Sequence, residues 1–142
     1  MPKQLKVEWR VAWYASSRVA PARVYLNKVD PERRHQLLGW VEAIRRYPPG
    51  PYAFPPGLVW QPMHGKMAGI FEIREKHGKQ LFRVFCVLDR NTPKHGLTDP
   101  AMVLLDGVTK AIETEVDAAT YARVAGYRDD YLASDPRHVL VD

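Results

Sequence analysis

The chain is short of the residues and patterns from which most chemistries are recognised. It has one cysteine, Cys86, in 142 residues, so no disulfide can close within it and a reducing compartment is expected. Cys86 lies inside the apolar run 84–88, where a thiol is ordinarily structural and buried. No apolar stretch approaches the length of a membrane span, and residues 1–10 carry no apolar signal segment. These absences lead to the expectation of a cytoplasmic protein with no membrane partner. The five histidines, His35, His64, His77, His95 and His138, are scattered without metal-ligand spacing, so no metal or other cofactor is expected. There is no glycine-rich phosphate loop and no nucleophile elbow, and no internal repeat or low-complexity tract.

What the chain does have is size, charge and pattern. Its length fits one domain, residues 1–142, with a single core, and 46% apolar residues are enough to fill one. A formal charge of +5 and a pI near 9.4 permit a nucleic-acid or acidic-protein partner without establishing either. Leu5, Val7, Trp9, Val11 and Trp13 alternate with mostly polar neighbours, the period of a half-buried strand. Pro21 suits a first helical turn, predicting a short helix over Pro21–Lys28. Asp30 as N-cap and Pro31 at the first helical position start a second helix. It continues through Leu37, Trp40, Val41 and Ile44 and stops at Tyr47, before Pro48 and Pro49. Arg33, Arg34, Arg45 and Arg46 read either as a basic stripe or as a solvated helix face.

Residues 48–57 hold five prolines and two glycines, so a stiff loop is expected. Strands follow over Ile70–Glu75, Leu81–Leu88 and Met102–Leu105, with a polar loop over Asn91–Pro100. Thr114, with Asp117 three residues on, resembles a capping signature. Val116, Thr120, Val124, Tyr127 and Tyr131 mark one face of a C-terminal helix ended by Asp135 and Pro136. The order is that of an α+β domain with antiparallel strands packed under helices.

The informative part is the hairpin. With His77 and Gly78 as a two-residue turn, Arg74 faces Leu81 and Glu72 faces Arg83. Glu72, Arg74, Leu81 and Arg83 then share one side, and Phe71, Ile73, Phe82 and Val84 share the core side. Two readings stay open. Arg74 and Arg83 form a phosphate-binding pair, because the guanidinium fork matches phosphate oxygens. Alternatively Glu72 and Arg83 form a cross-strand ion pair and Arg74 is solvated. Tyr121 is either core or a ring exposed for base stacking. His64 is either a loop histidine or a general base.

The ordered set Gly65, Lys66, Phe71, Glu72, Ile73, Arg74, His77, Gly78, Phe82, Arg83, Val84 and Phe85 resembles the central hairpin of RelE/HigB-type toxins of type II toxin–antitoxin systems. More closely, it resembles the phage-derived HigB-like branch of the RelE/ParE superfamily. The likeness extends upstream to the start of the second helix at Asp30, Pro31 and Glu32. Downstream it takes in Leu104, Leu105, Asp106, Gly107 and Lys110. The resemblance covers about residues 5–133. It implies a RelE-like fold, an antiparallel sheet with two N-terminal helices packed on it and a C-terminal helix. It also implies a metal-independent mRNA endoribonuclease, associated with the ribosome and neutralised by a cognate antitoxin, expected to be a helix-turn-helix protein.

Carried over position by position, the catalytic candidates are Arg74, Arg83, Lys110 and Tyr121, and the RNA contacts are Lys66 and His64. The family's usual His-Gly-Phe stretch, paired lysines and later Lys-Thr-Pro are replaced here by Asp106, Gly107 and Val108, by Lys110 and Ala111, and by Thr114, Glu115 and Val116. Those departures keep two other readings in play, a ParE-like gyrase inhibitor and a phage-related accessory protein without toxicity.

Overall fold

Alternation and helical spacing place most elements where they are found. The structure, a computed structural model, describes residues 9–46, 59–97 and 99–141. The expected strand residues 5–8, the helix end at Tyr47 and the proline-rich loop 48–57 lie outside the described residues. Strand β1 (Arg10–Tyr14) leads to helices α1 (Pro21–Lys28) and α2 (Pro31–Arg46). Strands β2 (Trp60–Pro62), β3 (Ile70–His77), β4 (Gln80–Asp89) and β5 (Ala101–Ala111) follow, then helix α3 (Ala118–Ala133) and strand β6 (Val139–Leu140). Asp30 caps α2, its Oδ2 accepting the Arg33 N–H at 3.1 Å. Arg34 reaches back from α2 to the carbonyls of Leu26 and Val29, at 2.7 and 3.2 Å, and so satisfies the C-terminal end of α1.

The six strands form one sheet in the order β2-β3-β4-β5-β1-β6. The expectation of a purely antiparallel sheet is corrected: β1 runs parallel to β5, with Arg10 beside Ala101 and Trp13 beside Leu104. Period-two alternation identifies a strand but carries no direction for partners so far apart in sequence. As an inner strand between β5 and β6, β1 buries Ala12, Trp13 and Tyr14. Burial on both faces suits a parallel pair. Strands β2 and β6 were not foreseen; three and two residues are too few to show a period.

Two cores lie on the two faces of the sheet. On one face, Ala22 and Leu26 of α1 and Leu37, Val41 and Ile44 of α2 pack on Ile73, Val84, Cys86, Met102 and Leu104. Burial pushes the Cys86 thiol up, out of reactive range. On the other, Val124 and Tyr131 of α3 pack on Ile70, Phe85, Val87, Val103 and Leu105. The face expected to be core, with Phe71, Ile73, Phe82 and Val84, is the face under α1 and α2.

The hairpin register differs from expectation by one step of two residues. The turn is Gly78 and Lys79, with His77 opposite Gln80 and Gly78 at φ 59°, a conformation glycine adopts without strain. Arg74 therefore stands opposite Arg83, and Glu72 opposite Phe85. A shift of two residues preserves parity, so the side assigned to each residue stands. The cap of α3 also moves: Asp117, not Thr114, is the N-cap, accepting the Thr120 N–H at 2.8 Å.

Candidate anion-binding groove beside the central hairpin

Strands β3 and β4 bring Arg74 and Arg83 side by side on the face that α3 partly covers. Between them lies Glu72, buried at 2% exposure. Arg74 donates from Nε to Glu72 Oε1, and Arg83 Nε lies 3.5 Å from the same oxygen. One carboxylate thus holds two guanidiniums, and the trio keeps one net positive charge. The expected cross-strand ion pair between Glu72 and Arg83 is present, while Arg74, solvated in that reading, joins it in a three-membered cluster. Its geometry is diagonal, and Arg74 is part of it.

Arg83 is itself buried, with 6% exposure, yet its Nε and Nη1 find no hydrogen-bond acceptor among the described residues. A buried donor left without a partner costs about 1–3 kcal/mol, more when charged. Both atoms are closed to solvent, and Nε faces the Glu72 carboxylate at 3.5 Å.

Arg74 and Arg83 line an open, largely polar groove of about 440 Å³, closed on the other side by Tyr121 and the loop after β5. Tyr121 enters from the first turn of α3, its ring edge-on to Phe85 with centroids 6.2 Å apart. Burial, then the Glu72 charge, raises its phenol pKa, while Arg83 and Arg74 oppose the shift. The hydroxyl is therefore a proton donor or hydrogen-bonding group, not a base near neutral pH.

Glu113 and Glu115 stand at the rim, both exposed. Among the described lining residues these two carboxylates have the chemistry to accept a proton, since guanidiniums do not deprotonate. Sequence reasoning missed both. They fall in an irregular loop, and only the fold brings that loop over the hairpin. It also missed the burial of Glu72, which depends on α3 covering this face.

Three of the six residues singled out from sequence, Arg74, Arg83 and Tyr121, therefore line one groove. Lys110 lies opposite Leu81 on the same face but is not part of the lining; its Nζ is 4.0 Å from Asp117 Oδ2. His64 and Lys66 are exposed on the turn before β3. The Lys66 carbonyl takes a 2.9 Å hydrogen bond from Arg128, in the second half of α3. Seven residues of helix, about 10 Å of rise, separate Arg128 from Tyr121, and neither His64 nor Lys66 reaches the groove. Among the described residues no group of three His, Cys, Asp or Glu is placed to hold a metal ion, and no helix is long and apolar enough to cross a membrane. Comparison with protein-family models, curated proteins and solved structures finds no match to the chain.

Proposed function

We propose that this protein is a RelE/HigB-type toxin that cleaves mRNA without a metal, at the groove between Arg74, Arg83 and Tyr121. The observation that supports the reading is the pair Arg74 and Arg83 on the wall of one open groove, two guanidiniums sharing a single carboxylate. A phosphate oxygen is the acceptor such a fork matches best. In this reading the ribose 2′-OH attacks the adjacent phosphorus in line, giving a cyclic phosphate and releasing the 5′ oxygen. Arg83 and Arg74 stabilise the charge building on the non-bridging oxygens. Tyr121 stacks on a base or donates a proton to the leaving oxygen, and Glu113 or Glu115 would take the 2′-OH proton. The cognate antitoxin, a helix-turn-helix protein on the family resemblance, would act by keeping RNA from this face, and the ribosome would present the message.

Mapping mRNA 5′ ends in cells induced for the wild type or for Arg83→Ala tests the reading. New ends within coding sequences are expected with the wild type. Loss of one charge-stabilising donor should lower cleavage by about 10²–10³. Undiminished cleavage by Arg83→Ala would sink the assignment. Growth arrest without new RNA ends, accompanied by DNA breaks, would instead favour the ParE-like reading of a non-nucleolytic binder. Lys110 standing outside the groove lining is on that side, as are the departures from the family pattern after Asp106.

A further inference from the structure

The sheet is open along part of an inner strand. β1 pairs with β5 only from Ala101 to Leu104, while β5 runs on to Ala111 and keeps β4 as its other neighbour throughout. After Tyr14 the chain leaves β5. Ala15 donates to the His138 carbonyl at 3.1 Å, and Ser17 and Arg18, both at positive φ, turn the chain back tightly toward α1. The side of β5 from Gly107 to Ala111, roughly 16 Å of strand, thus has no strand beside it among the described residues.

The Ile112 N–H donates to the Lys79 carbonyl at 2.9 Å, and this bond sets the phase of the β4–β5 ladder. Asp106, Val108 and Lys110 turn their backbone groups to β4, and Gly107, Thr109 and Ala111 turn theirs to the open side. Two of those six groups are already used. The Gly107 N–H donates to Asp106 Oδ1 at 2.8 Å, and the Ala111 carbonyl accepts from the Thr114 N–H at 2.9 Å. The Gly107 carbonyl, both groups of Thr109 and the Ala111 N–H have no partner among the described residues. A parallel strand takes that set, because it bonds the carbonyl of one residue and the N–H two residues on, then repeats. An antiparallel strand needs both groups of a single residue, which Thr109 alone offers.

The open edge begins in a groove of about 380 Å³ over Asp106 and Gly107, with Val24, Tyr25 and Lys28 of α1 on one side and Arg123 and Tyr127 of α3 on the other. Val19, at 54% exposure, and Val24, at 42%, give it an uncovered apolar margin. Its charge is positive: Arg123 and Asp106 neutralise each other at 2.9 Å, whereas Lys28, and Arg18 next to Val19, are exposed and have no ion-pair partner among the described residues. We infer that this edge docks an extended acidic segment of another polypeptide, which joins the sheet as a strand parallel to β5. Main-chain hydrogen bonds hold such a strand, and its alternate side chains choose the site. Here apolar side chains cover Val19 and Val24, and carboxylates meet Lys28 and Arg18. A second copy of this chain does not fit, since its own β5 edge is recessed between the same two helices and carries the same cations. The groove shares no lining residue with the one between Arg74 and Arg83, so the inference stands apart from the proposed function.

The probes are a blocked seven-residue peptide of alternating valine and glutamate and its counterpart of valine and lysine. Each is titrated into the full chain, and amide hydrogen exchange is followed by NMR. At saturation the glutamate peptide should slow exchange of the Thr109 and Ala111 amides by about tenfold or more, and the lysine peptide should bind several times more weakly. Lys28→Glu, an exposed change, should weaken the glutamate peptide by roughly threefold and narrow the preference. Methylating the backbone nitrogens of alternate peptide residues should abolish binding for one set and spare it for the other, since only one edge of the strand meets β5. Four results overturn the inference: no protection of either amide at millimolar glutamate peptide, protection of Thr109 without Ala111, equal affinity for the lysine peptide, or indifference to both methylated sets. Protection that grows with protein concentration in the absence of peptide also overturns it, because the occupant is then a second copy of the chain.

Discussion

Arginines of identical chemistry serve different ends in this chain, and their hydrogen bonds separate them. Arg137 and Arg83 are both buried beside a buried carboxylate. Arg137 Nε donates to Asp89 Oδ2 at 3.2 Å, and its Nη1 donates to the Leu132 carbonyl at 2.6 Å. Tyr131 donates to the same Asp89 oxygen at 2.7 Å, and burial together with Asp89 pushes its phenol up. That cluster ties the end of β4 to the end of α3 and the segment beyond it. Arg83 has its charge partner in Glu72, but its Nε and Nη1 find no hydrogen-bond acceptor among the described residues. Arg137→Ala should therefore destabilise the fold by about 3–5 kcal/mol, the cost of leaving a buried carboxylate without its cation. Arg83→Ala should cost far less, because Glu72 keeps Arg74 and two donors without partners disappear. Urea unfolding of the two variants checks the contrast. An Arg83→Ala variant as unstable as Arg137→Ala would mean that Arg83 is a fold residue.

The elements show how far local pattern reaches. Helix α1 was legible from Pro21 onward because its start, its length and its apolar spacing are all local. The hairpin was legible in its faces but not in its turn, since either Gly78 as second turn residue or Gly78 as first fits the same local signals. What local pattern missed is whatever another element supplies: the parallel neighbour of β1, the cover that α3 gives Glu72, and the rim carboxylates. Gly107 is one such case. Sequence marks it only as a glycine within the resemblance. In the fold the ring of Tyr25, from α1, occupies the space where a Cβ would stand, and its hydroxyl lies 2.8 Å from Thr109 Oγ1. Gly107 is thus the place where α1 lies against β5. Gly107→Ala should destabilise by about 1–3 kcal/mol through overpacking. Adding Tyr25→Ala should make the double variant less unstable than the sum of the single changes, because the new methyl then enters vacated space. Additive effects in thermal or urea unfolding would show that the ring does not set the spacing.

On the scale of the molecule, a charge of +5 suggests a broad cationic surface, and the structure distributes it otherwise. Arg34 is spent on the carbonyls that end α1. Arg45 and Arg46 share Glu42, whose carboxyl pKa they lower. Arg123 pairs with Asp106 at 2.9 Å, Arg128 holds the Lys66 and Ala68 carbonyls, and Arg137 is locked to Asp89. These contacts are structural, so net charge is a poor guide to where RNA would lie, and placement on the hairpin a better one. Counterion release turns this into a number. Each phosphate neutralised on a single strand contributes a slope of about −0.7 to the dependence of log K on log salt. If the trio of Arg74, Arg83 and Glu72, with its one net positive charge, neutralises one phosphate, a short uncleavable 2′-deoxy oligonucleotide should bind with a slope near −0.7. The Arg74→Ala/Arg83→Ala variant should bring it close to zero. Fluorescence anisotropy between 50 and 300 mM salt, about the range where such slopes are resolved, measures both. A slope several times steeper, surviving in the double variant, would mean that RNA is held by a wider face, and that the groove is not where this protein meets it.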